Sequence, residues 1–317
     1  MKLKRFSAFA WGVLGYNLLV ILWGGYVRAT GSGAGCANHW PACNGPIVPH
    51  TPIWEILIDS GHRLTSGLAG LLVIALVIWA FKLYPGKHLV RTGAIWSLIF
   101  IMVEGLLGMA LVRFEAVAQT IAWFRAVMVG GHLINLFILL TWLTLTAWWA
   151  SGGSALRRMG GHGWLLGVGL LAITMLGATG AVAALGDTLF PDIPWYAGLR
   201  QNFSPLVNFL RWLRIIHPFL ALLTGLHIFF LGSFFRQTRF DSQTRRLANS
   251  LLTLFIIQSG VGLINLLLLA PVWVQLIHLL LANLVWITLV LLTATVLSRP
   301  VTAAEAVHPA GLVGESV

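Results

Sequence analysis

Val127-Met-Val-Gly-Gly-His-Leu-Ile-Asn-Leu-Phe-Ile-Leu-Leu-Thr-Trp-Leu-Thr-Leu-Thr-Ala-Trp-Trp149 contains one ionisable side chain, His132, in 23 residues. About 20 apolar residues in a helix, each rising about 1.5 Å, cross a hydrocarbon core of roughly 30 Å. This stretch is therefore a membrane span with a histidine inside it. Seven further stretches of the same kind occur near Phe6–Val27, Ser66–Phe81, Gly93–Val112, Trp164–Ala184, Ile215–Phe235, Leu247–Ala270 and Val274–Leu297. Unpaired backbone groups are costly in lipid, so each span is expected to be helical, and the weakly alternating strands of an outer-membrane barrel are not seen. The expected fold is an all-α integral membrane protein with eight transmembrane helices.

Composition agrees: 58% of the 317 residues are hydrophobic and 9% charged, against about 25% charged in soluble domains. A net charge of +11 raises nucleic acid as a partner, but the basic residues follow topology instead. Lys2, Lys4, Arg5, Lys82, Lys87, Arg91, Arg157, Arg158, Arg236, Arg239, Arg245, Arg246 and Arg299, 13 of the 20 Lys and Arg, flank the ends that fall on one side. By the positive-inside rule both termini are cytoplasmic. The first span is too long for a cleaved signal peptide and no Arg- and Ser-rich transit sequence is seen, so the expected location is a prokaryotic plasma membrane.

Sliding the chain by 155 residues brings Gly25 onto Gly180, Gly31 onto Gly186 and His62 onto His217. A slightly shorter offset puts Glu104-Gly-Leu-Leu-Gly108 on Gln258-Ser-Gly-Val-Gly262, and His132 then matches His278. The halves read as two pseudo-symmetric four-helix bundles, 1–150 and 164–299, joined by a basic linker at 151–163 and followed by a tail at 300–317 that reads as disordered. Residues 28–61 and 185–214 read as long outward loops, in keeping with their Trp and Tyr at an interface. Gly31-Ser-Gly-Ala-Gly35 lacks the strand-before, helix-after setting of a phosphate cradle.

His62, His132, His217 and His278 fall in the first turns of the even-numbered helices, which all run in one direction, so they share a depth. Ionisable groups in spans are rare, costly and usually functional. Neutral imidazoles from separate helices suit the two axial positions of haem iron, and a bundle interior provides an apolar slot for the ring. One pair per half is the natural grouping: His62 with His132, and His217 with His278. A zinc site or a proton relay fits the pattern less well. His39, His50, His88, His162, His227 and His308 lack it and read as loop, tail or packing residues.

Asp59, three residues before His62, shares its helix face if the helix has begun there; the alternative is an N-cap. Glu104, some 11 residues into the third span, needs pairing or protonation. Gln258 stands at its place in the second half, which also lacks a carboxylate just before His217. Arg28, Arg63, Arg125, Arg211 and Arg214 lie near the outer face, either as clamps for haem propionates or as interfacial anchors. Cys36 and Cys43 lie in the first outward loop, where a disulfide is permitted and free thiols are the alternative.

Gly24-Gly-Tyr-Val-Arg28-Ala-Thr-Gly-Ser-Gly33, Cys36-Ala-Asn-His-Trp-Pro-Ala-Cys43-Asn-Gly45, His62-Arg63, Gly130-Gly-His132, His217-Pro218 and His278 together resemble the haem A synthase family, membrane enzymes that convert haem O into haem A for terminal oxidases. The resemblance covers nearly the whole chain. It implies a b-type haem held by His217 and His278 as cofactor, and haem O as substrate near His62 and His132. It implies oxidation of the C8 methyl to a formyl group and a Cys36–Cys43 disulfide; Asp59 and Glu104, the carboxylates of the first half, are this chain's candidates for the reacting side. Haem O synthase and terminal oxidase subunits are the partners it implies; it assigns no electron acceptor. The family usually has Glu three residues before the first histidine, where this chain has Asp59. Glu104 stands where Gln is common, and a second cysteine pair found in some members is missing. The competing readings are a di-haem cytochrome for quinol-linked electron transfer and, more remotely, a transporter.

Overall fold

In the computed structural model, the described residues are 2–36, 52–113, 120–156, 163–189, 205–238 and 241–298. They form eight helices and, among the described residues, no strand: α1 (Lys2–Ala29), α2 (Ile53–Leu83), α3 (Leu89–Arg113), α4 (Thr120–Ala150), α5 (Gly163–Leu189), α6 (Pro205–Thr238), α7 (Ser242–Leu267) and α8 (Val272–Ser298). A single 3-10 turn, Ser32–Ala34, follows α1. Each helix is long and apolar enough to cross a membrane, so the protein is a multi-pass membrane protein, as its composition predicts. The tail, residues 157–162 of the linker, Cys43, His39, His50, His162 and His308 lie outside the described residues.

The helices reach further outward than the hydropathy of the sequence predicts. α2 starts at Ile53 and α6 at Pro205, so Trp54 and Trp212, expected in loops, are helical. The extra turns carry polar side chains. A hydropathy window cannot see a helix that continues past the hydrocarbon into the interface, where backbone bonding persists but apolar content falls.

α1 packs on α2, α2 on α3 and α3 on α4, and α4 returns to α1; α5, α6, α7 and α8 repeat this closed sequence of neighbours. The two sets meet through α1 with α8, α4 with α5 and α4 with α8. Between α4 and α8 the rings of Phe137 and Trp286 stack at 4.5 Å with planes 7° apart, and Trp286 Nε1 donates to Phe137 O at 2.7 Å. Leu140, Leu143, Leu289 and Leu292 beside them are fully buried. Lipid is as apolar as leucine, so close packing and buried hydrogen bonds of this kind are what hold helices together in a membrane. Leu222, Leu223, Leu226, Phe229 and Phe230 on α6 point outward and suit lipid contact.

Candidate functional site

His62, His132, His217 and His278 stand 9, 9, 5 and 6 residues into their apolar spans. The first two are therefore deeper in their helices than a first-turn placement predicts, and all four sit within roughly 14 Å of the starts of those spans at about 1.5 Å per residue. Each imidazole is half-buried.

In the first half the ring of His62 leans on α1. A Cβ built at Gly24 would come within 2.9 Å of His62 Cε1 and 3.1 Å of Nε2, so the ring sits where only glycine leaves room. His62 and His132 are near enough for a charge on one to act on the other. Behind His132, α3 presents Glu104, whose Oε1 lies 3.4 Å from His132 Nδ1. Asn135 donates to the other carboxylate oxygen at 2.6 Å and to Phe100 O at 3.0 Å. Asn135 was missed in the sequence reading; its spacing of three from His132 puts both on one face of α4.

The second half repeats the arrangement with neutral partners. A Cβ at Gly180 would meet His217 Cε1 at 2.7 Å, and one at Gly262 would meet His278 Cε1 at 2.8 Å. The pair are again in electrostatic reach of each other. Thr179 Oγ1 lies 3.3 Å from His217 Nδ1, and Gln258 Nε2 lies 3.3 Å from His278 Nε2. Gln258 thus faces His278 as Glu104 faces His132, in the register the sequence predicts. The glycine register needs correction: Gly24, not Gly25, plays the part of Gly180. Gly25 instead packs on Leu276 and Leu279 of α8.

Asp59 is not an N-cap. Pro52 holds that place, and Asp59 is buried, its two oxygens gripped by Arg63 Nε at 2.9 Å and Nη2 at 2.8 Å. The Cys36 amide donates to the same carboxylate at 3.1 Å, which ties the segment after α1 to α2. Cys36 is buried and is not a free thiol. Arg28 turns toward the other half, with Nη1 on Ala184 O at 2.9 Å and Nη2 on Gln275 Oε1 at 2.8 Å. Arg214, one turn before His217, stands beside Gly186, where a Cβ would lie 3.7 Å from Nε. It occupies the place that Asp59 occupies before His62, so the charge one turn ahead of the histidine reverses between halves. His227 packs in α6 against α5, with Nε2 3.1 Å from Leu165 O, and His88 Nδ1 accepts from the Val90 amide at 3.2 Å.

Nδ1 of His62, of His132 and of His278 are buried without a hydrogen bond, an arrangement costing about 1–3 kcal/mol per group in a protein alone. Among the described residues, no three His, Cys, Asp or Glu converge as a zinc site requires. Imidazoles seated against glycines, three of them with a buried ring nitrogen that no protein group bonds, have the chemistry of axial haem ligands.

A family model described as "Cytochrome oxidase assembly protein" matches residues 7–290. A heme A synthase of Exiguobacterium sibiricum is 30% identical over 263 residues, 80% of this chain and 82% of that protein. The chain belongs to the haem A synthase family. Within this family, a heme A synthase of Bacillus mycoides is 42% identical over 111 residues, 35% of this chain and 36% of its own. A Thermus thermophilus protein named protoheme IX farnesyltransferase is 47% identical over 298 residues, 93% of this chain but 49% of that protein. The chain thus spans about half the length of this Thermus relative. The haem A synthase motifs at Gly24, Arg28, His62, Arg63, His132, His217 and His278 all fall on the two histidine clusters or on the contact between them.

Proposed function

We propose that this protein is an oxidoreductase that converts haem O into haem A by oxidising the C8 methyl to a formyl group. The observation that carries the reading is the unequal surroundings of two otherwise matching histidine pairs: an acid, Glu104, faces His132, and an amide, Gln258, faces His278. A pair with a carboxylate can accept protons; a pair with an amide can only hold its ligand.

On this reading His217 and His278 hold a resident b-type haem in the bundle 164–299, and His62 and His132 hold the iron of the substrate in the bundle 1–150. A haem held by His217 and His278 would supply one-electron transfer to and from the substrate. Making a formyl group from a methyl group takes an oxygen atom from water and gives up four electrons, to an external acceptor, together with four protons (R–CH3 + H2O → R–CHO + 4 H+ + 4 e−). Glu104, fixed by Asn135 at 2.6 Å, is the group placed to take the protons. Asp59 is already engaged by Arg63 and Cys36, so its part is to set α2, and with it His62, against the outer segment. Cys36 pairs with Cys43 in a disulfide, supported by the absence of a free thiol at Cys36. Arg63 is engaged by Asp59, and Arg214, one turn before His217, is the cation we assign to the propionates of the resident haem. Both termini are cytoplasmic, and the clusters face the exterior side.

The Thermus relative carries a farnesyltransferase name over a chain twice as long, which supports a prenyltransferase acting on protohaem as supplier of the substrate; a terminal oxidase subunit is the natural recipient of the product. The likeness of the two histidine pairs favours a second reading, a di-haem cytochrome. Extracting pigments from cells that make haem O, with and without this protein, separates the two. Haem A accumulates only if the protein oxidises haem O; unchanged haem O alongside a bound low-spin spectrum identifies an electron carrier.

A further inference from the structure

Arg28 lies in the last turn of α1, and its Nη1 donates to the carbonyl of Ala184, 156 residues further on, at 2.9 Å. The same interval separates Gly24 from Gly180, so the guanidinium meets the backbone of its own counterpart. Nη2 donates to Gln275 Oε1 at 2.8 Å, and Gln275 Nε2 donates to Ala270 O at 2.6 Å. One carboxamide therefore joins the first half to the turn between α7 and α8.

That turn is strained. Leu269 and Ala270 both have φ of 59°, a left-handed backbone that disfavours any residue with a Cβ. The Ala270 amide bonds Asn265 O at 2.8 Å, and Gln275 holds the Ala270 carbonyl. Gln275 also stands three residues before His278, one turn away on the same face of α8. The interval from His132 to His278 places Val129 opposite Gln275, and Val129 packs in an apolar cluster with Ala126, Val182, Leu185 and Leu210. Among the described residues, the polar link is built on the side of the His217–His278 pair.

We propose that Gln275 is a positioning residue for His278, fixing the strained turn from which α8 departs, and that Arg28 makes this placement depend on the first half. This rests on the reading of His278 as a haem ligand. The test uses the full chain in detergent, haem-free and haem-loaded, read by hydrogen exchange over residues 268–274 and by the low-spin absorption and midpoint potential of the loaded form. Gln275→Leu is expected to speed exchange about tenfold in both forms, the factor by which a left-handed residue with a Cβ is disfavoured. It also weakens the low-spin band and shifts the potential. Adding Ala270→Gly, which removes the Cβ, returns both readouts toward the parent. Gln275→Glu keeps the acceptor for Arg28, removes the donor to Ala270, and is expected to loosen the turn equally; it serves if Gln275→Leu fails to insert. Exchange equal to the parent in both variants overturns the proposal, and so does faster exchange with an unmoved low-spin band and potential. His278→Ala isolates the underlying reading: a low-spin band that survives it means His278 is not a ligand, and the positioning role falls with it.

Discussion

Glu104 Oε1 lies 3.4 Å from His132 Nδ1, while in the second half the nitrogen of Gln258 lies 3.3 Å from His278 Nε2. The two contacts fall at places that match when the halves of the sequence are aligned, and they differ by an acid against an amide and by the ring nitrogen each one faces. Because proton transfer by a placed side chain contributes about 10²–10⁴-fold in rate, replacing Glu104 with the residue already accepted at 258 isolates that contribution. Glu104→Gln is expected to lower haem A formation about a hundredfold and to leave the low-spin band of the resident haem unchanged, measured by pigment analysis and absorption on one preparation. Asn135→Leu, which frees the carboxylate from its fixing donor, is expected to lower formation by a smaller factor.

The glycines beneath the histidines give a steric test. A Cβ at Gly180 would come within 2.7 Å of the His217 ring and one at Gly24 within 2.9 Å of the His62 ring, contacts that force the imidazole to move. Gly180→Ala is expected to remove most of the low-spin band, and Gly24→Ala to spare the band and stop turnover. Gly105→Ala is the control, since its Cβ would meet nothing within 4 Å; helix propensity alone favours it by about 1 kcal/mol, so its melting temperature should hold or rise.

Asp59 and Arg63 form a buried two-point pair, with side chains 5% and 10% exposed. Breaking such a pair from one side leaves a charge without its partner and costs about 3–5 kcal/mol. Asp59→Asn is expected to lower the melting temperature of the purified protein and to free the Cys36 segment for faster exchange, with the resident haem band retained. In a double-mutant cycle with Arg63→Met, the double variant should be less destabilised than the two single effects added together. Additive losses would mean that the pair is not coupled.

How far the sequence led depends on the kind of signal. The helix count was legible because eight apolar stretches each match the hydrocarbon thickness; the grouping of the histidines in pairs rests on the repeat of the same residue in the two halves and is what the histidine variants test. The helix starts at Ile53 and Pro205 were not legible, since interfacial turns carry no apolar run. The register of Gly24 against Gly180 was missed by one residue: Gly24 and Gly25 are adjacent, and only the contact with the His62 ring tells them apart. Asn135, Thr179 and Gln275 were missed because single polar residues in apolar helices look alike until their partners are known; in hindsight, spacings of three from His132 and His278 marked two of them. Arg28 looked like an anchor or clamp, and its bonds to Ala184 and Gln275 depend on contacts across 156 and 247 residues that no local pattern encodes.

In the proposed division of labour one histidine pair keeps a haem and the other processes one. The most direct measurement combines absorption spectra and extracted pigments from full-length protein carrying His62→Ala, His132→Ala, His217→Ala or His278→Ala. The last two are expected to abolish the resident low-spin band, and the first two to retain it while haem A formation stops. Loss of the band with His62→Ala or His132→Ala, together with its survival in His217→Ala and His278→Ala, would contradict that division.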